Sequence, residues 1–201
     1  MARRAAEHPI VRRRLLDAAR ELFVRDGFAA TGVAEICAAA GVTKGSFFHY
    51  FDSKDAIGAA ALMSFGADLA AAFATAPFHA QPDPLRRIDG YIDFTIEMCR
   101  SSVLRQGCLV GMLAQELAVT EPLIRERCRA IFTGWAESLA ELLSAAKTAY
   151  APGAAWDAHG LAMHFVAVVE GALLLAKTDS NSLSLANQLE YFRSYMHYLL
   201  T

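Results

Sequence analysis

The sequence predicts an all-α protein. Alanine, leucine, glutamate and arginine are abundant along the chain, and all four favour helices. Apolar residues recur at intervals of three and four, which is the spacing of one buried helix face. No segment alternates apolar and polar residues convincingly with the period of two that indicates a strand. We therefore expect about nine helices, three short ones followed by about six longer ones.

Length and composition predict two helical domains and a cytoplasmic location. The chain has 201 residues, of which 55% are hydrophobic. That is enough for a small domain joined to a larger one, which we place at residues 1–54 and 55–201. No uninterrupted apolar run reaches the roughly 18 residues of a membrane span, and no apolar segment follows the N-terminal arginines as in a secretory signal.

The first two predicted helices form the base of the small domain. Helix 1 is expected from about Ile10 to Asp26 and ends at Gly27, a residue that tolerates the left-handed conformation of a helix C-terminus. Helix 2 is expected over Val33–Ala40, with Thr31 as its cap. The apolar face of helix 1 comprises Leu15, Ala19, Leu22 and Phe23.

A short turn joins helix 2 to a third helix. Gly41 closes helix 2, Val42 follows as a turn hydrophobe, and Thr43 can cap a helix from Lys44 to about Phe51. A helix, a three-residue turn with glycine and a second helix form the helix-turn-helix pattern, whose second helix enters the major groove of DNA. Residues 1–54 also carry nine Lys/Arg against six Asp/Glu, whereas residues 55–201 carry ten against fifteen, which favours a polyanion-binding surface near the N-terminus.

The third helix has the side chains that such a role requires. The hydroxyls of Thr43 and Ser46 can donate to phosphates, and Lys44 can neutralise a phosphate or touch a base edge. His49 and Tyr50 offer donors in mid-helix, and Lys54 can bind a phosphate at the start of helix 4. By contrast, the four-residue spacing of Phe47 and Phe51 is typical of core residues that fix the helix against helix 1. Each polar side chain taken singly is also compatible with an ordinary solvated surface.

The pattern GFxxTxVxxIxxxAGVxKGSFFHYFxSKxxI, from Gly27 to Ile57, closely resembles the N-terminal domain of the TetR/AcrR family of repressors. The resemblance implies an all-helical homodimer whose small domain binds operator DNA and whose larger domain binds a small effector. Phe48 stands where the family often has tyrosine, and Gly32 where it often has serine or threonine, so two phosphate contacts are expected to be weaker. By position, the resemblance implies contacts to DNA by Thr31, Thr43, Lys44, Ser46, Phe48, His49, Tyr50 and Lys54.

Two segments of the larger domain are similar to the NemR-type and AcuR-type subgroup of that family. They are GCLVGxLAxE over 107–116 and EGAxLxAK over 170–177. The similarity implies a response to reactive electrophiles, oxidants or small unsaturated acids, with Cys108 as the sensor and Lys177 as its partner.

Physical chemistry is compatible with such a sensor. Cys108 is predicted in the first turn of helix 6, expected over 107–118, where the helix dipole and a nearby Lys177 would both stabilise a thiolate. The alternative is that Cys108 is a small buried hydrophobe, as free cysteines often are. Met112, Glu116, Trp135 and Glu170 complete the predicted effector site, although the carboxylates are equally compatible with hydrogen-bonded core or dimer groups. Further pocket candidates, which could be simple core, are Tyr91, Phe94, Met98, Phe132 and Phe165.

Helices 8 and 9, expected over 154–177 and 183–200, are predicted to form the homodimer interface. They supply surplus apolar surface for a four-helix contact between subunits. Such a dimer would place two recognition helices on a pseudo-palindromic operator. The side chains expected in the interface are Val166, Val169, Leu173, Leu174, Leu189, Phe192 and Met196.

The sequence therefore predicts a ligand-responsive transcriptional repressor. A DNA-binding regulator controlled by a protein partner, without a small-molecule site, is the alternative. An enzyme is not expected, because the chain has no glycine-rich phosphate loop, no nucleophile elbow and no HExxH pair. The four cysteines lack the spacing of metal ligands, so we expect free thiols, no metal and no cofactor.

Overall fold

The computed structural model describes residues 2–101, 104, 107–178 and 183–200, with side chains described from residue 9 onward and, in the last segment, from residue 185. This part of the chain contains nine α-helices, one 3₁₀ turn and no strand, so the predicted all-α fold is confirmed. The α-helices are α1 (Ala2–Asp26), α2 (Val33–Ala40), α3 (Lys44–Tyr50), α4 (Lys54–Ala74), α5 (Pro84–Arg100), α6 (Leu109–Leu117), α7 (Pro122–Tyr150), α8 (Ala158–Thr178) and α9 (Leu183–Leu200), and the 3₁₀ turn is Pro77–Ala80.

The chain divides into two compact units. One comprises Met1–Leu69 and Leu109–Arg129, and the other comprises Ala70–Cys108 and Ala130–Thr201. The first unit is larger than the domain expected over 1–54, because it includes most of α4 and all of α6. It is called the DNA-binding unit after the role that the sequence predicts for its helix-turn-helix. The second contains α5, α8, α9 and most of α7, and is called the effector unit after the role that the sequence predicts for it.

Local signals explain several helix ends, and two of them differ from prediction. The N-cap of α2 is Gly32, whose backbone N–H donates to Glu35 Oε2 (2.6 Å), so the prediction that Thr31 caps this helix is wrong. Helix α6 begins at Leu109, because Gly107 has a φ of 125° that no helix accommodates. Cys108 therefore precedes α6 and is not in its first turn.

The core of the DNA-binding unit joins α1 to the helix-turn-helix. Leu15, Ala19, Leu22 and Phe23 are buried, as predicted, and Ile36 and Phe47 from α2 and α3 are completely buried too. Each of the Leu, Ile and Phe side chains in this set contributes about 1.5–3 kcal/mol when it is withdrawn from water. Phe28, in the α1–α2 turn, packs so closely on α4 that a Cβ added to Gly58 would lie 2.9 Å from its Cε2.

The core of the effector unit is unusually aromatic. The ring centroid of Phe73 lies 4.9 Å from that of Tyr91 and 5.0 Å from that of Phe94, with Trp135 at 6.3 Å. Phe165 contacts Tyr91 and Trp135 at 5.7 and 6.4 Å. Tilted and edge-to-face pairs of this kind add stability beyond the area that they bury.

Most side chains predicted for the dimer interface are buried inside the subunit instead. Six of the seven are at most 6% exposed, because α8 and α9 pack their apolar faces on each other and on the rest of the effector unit. Only Leu174 is exposed. The outward surfaces of α8 and α9 carry a different apolar set: Met163, Leu174, Leu175, Tyr191, Tyr195 and Tyr198.

Two segments, Lys54–Ala80 and Ala158–Thr178, are apolar and long enough to cross a membrane by length and composition. Both contain helices that contribute buried side chains to the core, and core helices of soluble proteins commonly pass this test. We regard them as core helices.

Candidate DNA-binding and effector sites

Gly41 sets the turn between α2 and α3. Its φ of 63° lies in the left-handed region, where the backbone N–H groups of Gly41 and Val42 reach the carbonyls of Ala38 and Cys37 (3.1 and 2.9 Å). A Cβ at this position would also lie 2.6 Å from Arg14 Nη2, which approaches the Gly41 carbonyl at 3.4 Å. Glycine is therefore favoured here by the backbone conformation, and a larger residue would also displace the end of the Arg14 side chain.

Two aromatic side chains anchor α3 from within. Phe47 is completely buried and Phe51 is 5% exposed, with ring centroids 5.8 Å apart, which confirms the prediction that both are core. The Thr43 hydroxyl accepts a hydrogen bond from the Ser46 backbone N–H (3.1 Å) and so caps the helix, as its position predicted. These contacts fix the rotation of α3 about its axis.

That rotation turns outward the side chains of α3 that are predicted to contact DNA, here called the reading surface. Thr43, Lys44, Phe48 and His49 are exposed, and Tyr50 is half-buried with its ring edge-to-face on His49 (5.0 Å). Phe48 is 55% exposed, so its ring is available for an apolar contact with a partner surface. Ser46 is half-buried at the edge of this surface.

Thr31 and Lys54, also predicted to contact DNA, stabilise the α1–α2 turn in this structure. Thr31 is 2% exposed and its hydroxyl donates to the Gly27 carbonyl (2.7 Å). Lys54 Nζ donates to the Phe28 carbonyl (3.0 Å), lies 3.5 Å from the Ala29 carbonyl and sits 4.4 Å from the centroid of the Phe28 ring. Both side chains therefore act on the backbone that precedes α2.

Glu116 lies in the DNA-binding unit and holds the same turn. Its Oε1 accepts the Phe28 N–H and its Oε2 accepts the Ala29 N–H, both at 3.1 Å. The sequence predicted Glu116 for the effector site, whereas in this structure its carboxylate accepts hydrogen bonds from the backbone of the turn that precedes α2. Sequence alone gave no signal, because the partners are 88 and 87 residues apart.

Cys108 and Glu170 come together in the effector unit. Cys108 is 5% exposed, and it lies close enough to Glu170 to act on the pKa of that carboxylate. Burial raises the pKa of Glu170 to about 7, although Cys108 and the charge of Lys177 act to lower it. Glu170 Oε1 is buried and has no hydrogen-bond partner in the described part of the chain.

The surroundings of Glu170 include a second thiol and one cation. Burial, and then the charge of Glu170, raise the pKa of Cys99 to about 12. Lys177 lies two helical turns after Glu170 on α8 and is exposed. Of the predicted residues, Cys108 and Lys177 are thus both near enough to Glu170 to influence its pKa.

Trp135 belongs to the aromatic core of the same unit. It is 8% exposed, and its Nε1 is a buried donor without a hydrogen-bond partner among the described residues. The same holds for the hydroxyl of Tyr91, whose pKa burial raises. Ser138 and Trp135 lie near that hydroxyl, but Ser138 donates to the Trp135 carbonyl (2.8 Å) instead. Buried donors left without acceptors are costly, so they indicate a place for an acceptor atom.

The remaining predicted effector residue, Met112, is half-buried on α6 in the DNA-binding unit. The predicted set is thus divided: Met112 and Glu116 belong to one unit, and the other four to the second. Among the described residues, no group of three or more His, Cys, Asp or Glu side chains is arranged to hold a metal ion.

Two family profiles match the chain. Residues 15–61 match the profile described as bacterial regulatory proteins, tetR family, and residues 84–189 match the C-terminal domain of LmrA/YxaF-like transcriptional regulators. The first match spans the helix-turn-helix, and the second spans more than half of the chain.

Three similar proteins extend these matches over most of the chain. The transcriptional regulator AcuR of Cereibacter sphaeroides is 30% identical over 177 residues, which is 88% of this chain and 81% of AcuR. The transcriptional repressor DhaR of Mycobacterium sp. (strain GP1) is 29% identical over 171 residues, 85% of this chain and 84% of DhaR. The crystal structure of reduced Escherichia coli NemR superposes with a TM-score of 0.79 at 25% identity, covering 95% of this chain and 97% of NemR. The chain therefore belongs to the TetR family of transcriptional regulators, which bind DNA and are not enzymes.

Proposed function

We propose that this regulator is a dimeric repressor that leaves its operator when an electrophile or oxidant modifies Cys108. The observation that carries the sensing half is the group of Cys108, Glu170 and Lys177 in the effector unit. A nearby cation favours the thiolate, which is the reactive form of cysteine, and Lys177 supplies that cation.

The DNA-binding half of the proposal follows from the outward surface of α3. Lys44, Ser46 and the mid-helix pair His49 and Tyr50 supply the cation and the hydrogen-bonding groups that contact phosphates and base edges. Phe48 offers only an apolar contact, for example to a thymine methyl group or a sugar. Thr31 and Lys54 act as positioning residues, because their described bonds stabilise the turn that presents α2 and α3.

Dimerisation is proposed through the outward surfaces of α8 and α9. Gly171 lies between the exposed Ala167 and Leu175 on α8, and a Cβ added to it would meet nothing within 4 Å. Small residues beside exposed apolar ones allow a second helix to approach closely. The exposed tyrosines of α9 add aromatic surface of the kind that is enriched at interfaces.

Signal transfer is proposed to run along the chain from Cys108 into α6. Cys108 is the residue directly before α6, and Glu116 on that helix holds the Phe28 and Ala29 amides. A covalent group on Cys108 would favour a conformer in which α6 starts differently and releases this turn. Such a shift lowers operator affinity only if the adduct prefers that conformer.

A small-molecule effector is favoured over control by a protein partner. The unpartnered Tyr91 hydroxyl and Trp135 Nε1 lie in the interior of the effector unit, where a small ligand with an acceptor atom would satisfy them. The crystal structure of the relative NemR is of its reduced form, which supports an effector that changes the redox state of a thiol.

The test measures release from DNA. A duplex enriched by the protein from random sequences serves as operator, and fluorescence anisotropy follows its release by N-ethylmaleimide. Cys108→Ser should bind this duplex normally and resist release, whereas Cys128→Ser, a matched change at a second buried cysteine, should be released like the wild type. Equal release of both variants would contradict sensing by Cys108.

A further inference from the structure

We infer that the Tyr91 hydroxyl and the Trp135 indole N–H form the polar end of a ligand site that takes the carbonyl oxygen of a neutral, planar compound. The inference rests on the small-molecule effector proposed above and specifies its chemical class. Such a ligand binds reversibly, so its action differs from covalent modification of Cys108. Two features of the effector unit carry the inference: a pair of buried donors without acceptors, and the aromatic rings that contact both of them.

The two donors are deeply buried and unsatisfied. Tyr91 is 1% exposed and Trp135 is 8% exposed, and neither Tyr91 Oη nor Trp135 Nε1 has a hydrogen-bond partner in the described part of the chain. An indole N–H can only donate, and a phenol also needs an acceptor for its proton. Buried polar groups without partners are costly and therefore rare in native folds. Two of them in one aromatic core point to an acceptor supplied by a ligand.

Both side chains contact the same two phenyl rings. The ring centroid of Phe73 lies 4.9 Å from that of Tyr91 and 6.3 Å from that of Trp135. The ring centroid of Phe165 lies 5.7 and 6.4 Å from the same two rings. These shared neighbours place Tyr91 on α5 and Trp135 on α7 in one aromatic cluster. A carbonyl oxygen has two lone pairs, so a single such atom can accept from both donors.

The surroundings of the donors favour a neutral oxygen over a carboxylate. Burial raises the pKa of Tyr91, and the side chains that act against this effect, Ser138 and Trp135, are both uncharged. A buried carboxylate needs a cation or several donors to offset its loss of hydration. Two uncharged donors match the smaller demand of a ketone, aldehyde or amide oxygen.

The side chains next to the donors favour a planar body for the ligand and leave a route to it. Aromatic rings pack well on the faces and edges of other planar groups, and Phe94 already meets Phe73 edge-to-face at 5.0 Å. Phe94, one turn after Tyr91 on α5, is half-buried, and Ser138, one turn after Trp135 on α7, is exposed. The donors thus lie one helical turn from partly exposed side chains, and movement of the Phe94 ring would admit a small ligand.

The experiment compares two neutral probes of the same shape. Acetophenone carries the carbonyl oxygen, and α-methylstyrene has a methylene group in its place. Ligand-detected NMR titrations of the full-length protein give both dissociation constants. Two neutral hydrogen bonds should make acetophenone bind about 10-fold or more tightly than α-methylstyrene. Equal affinities, or no binding of acetophenone, would overturn the inference.

Benzoate tests the charge of the ligand. It has nearly the shape of acetophenone but is an anion at neutral pH, so it should bind more weakly than acetophenone. Tighter binding of benzoate would overturn the inference that the site takes a neutral oxygen.

Tyr91→Phe removes the hydroxyl and keeps the ring. It should lower the affinity for acetophenone about 5-fold and change that for α-methylstyrene less than about 2-fold. Trp135→Phe should also lower the ratio of the two affinities, and this ratio cancels a loss of packing, which affects both probes alike. Tyr150→Phe, a matched change at an exposed tyrosine of α7, should leave the ratio unchanged. An unchanged ratio in Tyr91→Phe would overturn the inference.

The stability of the ligand-free protein is a second readout. Because the Tyr91 hydroxyl has no partner among the described residues, Tyr91→Phe should leave the midpoint of urea unfolding unchanged or raise it. A lower midpoint would overturn the inference, since it would show that the fold already satisfies this hydroxyl. Failure of the sensing proposal is distinguishable, because it would appear as unchanged operator release in Cys108→Ser, a measurement that uses none of these probes.

Discussion

The Glu116 carboxylate binds the backbone of Phe28, 88 residues earlier in the chain, and closes the turn that precedes α2. Its second oxygen takes the Ala29 amide, while Lys54 donates to the Phe28 carbonyl. The carboxylate of Glu116 on α6 thus accepts hydrogen bonds from two N–H groups of this turn, and the ammonium group of Lys54 on α4 donates one to a carbonyl of the same turn. The orientation of α2 and α3 depends on side chains outside the helix-turn-helix itself.

Glu116→Ala should loosen this turn. Loss of two charge-assisted hydrogen bonds is expected to lower the free energy of unfolding by about 1–3 kcal/mol, since exposure to water compensates part of the loss. Native-state hydrogen exchange should show faster exchange of the Phe28 and Ala29 amides, with operator affinity reduced. Glu126→Ala, at an exposed carboxylate on α7, is the control, and equal exchange in the two variants would contradict the role assigned to Glu116.

Phe48→Tyr should strengthen operator binding. Phe48 is 55% exposed on the reading surface, so an added hydroxyl has room to reach a phosphate. One such hydrogen bond is worth about 1 kcal/mol, which corresponds to roughly fivefold in Kd. Anisotropy titrations at fixed salt would measure it. Phe47→Tyr, one position earlier and completely buried, should instead destabilise the fold, because its hydroxyl would lack a partner.

The helix-turn-helix could be predicted from sequence because its signals are local. Gly41 forms the turn that it predicts, and Phe47 and Phe51, four residues apart, are the core residues of the helix that they predict. The bounds of α2 and α9 were predicted correctly for the same reason. The two bonds of Glu116 were missed because they depend on the tertiary fold.

The dimer-facing residues were assigned wrongly for a different reason. An apolar pattern such as Val169 and Phe192 shows that a surface is buried, but it does not show whether the covering surface belongs to the same subunit. In the same way, the sequence placed Cys108 and Glu170 in one site without showing that burial would raise the pKa of this carboxylate.

Gly41→Ala should destabilise the DNA-binding unit. Alanine pays about 1–2 kcal/mol for the left-handed conformation, and its methyl group would displace Arg14. Gly134→Ala is a suitable opposite control, because it lies inside α7 with open space around its Cα and should stabilise the chain by up to about 1 kcal/mol. Urea denaturation would measure both, and a neutral Gly41→Ala would show that the turn adapts.

Gly171→Glu should dissociate the proposed dimer. Its side chain has open space within the subunit, so the fold should tolerate it, but a charge would enter the interface on the outward surface of α8. Light scattering after size exclusion should then show a monomer, and operator binding should weaken because two half-sites are no longer held together. Gly134→Glu introduces the same charge at another open helical glycine and should remain dimeric. A dimeric Gly171→Glu would place the interface elsewhere.

Glu170 should make the stability of the fold depend on pH. Its pKa is about 7 when folded, above the ordinary 4.5, so the unfolded chain loses this proton first as pH rises. The contribution of Glu170 to stability is therefore complete below about pH 4.5 and is lost progressively as pH increases to 7, up to about 3 kcal/mol. Glu170→Gln, which stays neutral, should lack this loss and gain stability relative to the wild type between pH 5 and 8. Urea denaturation at pH 5 and at pH 8 measures the difference in the free energy of unfolding, with Glu126→Gln as the exposed control. A wild-type chain whose pH dependence matches that of Glu170→Gln would show that this carboxylate ionises at an ordinary pKa in the fold.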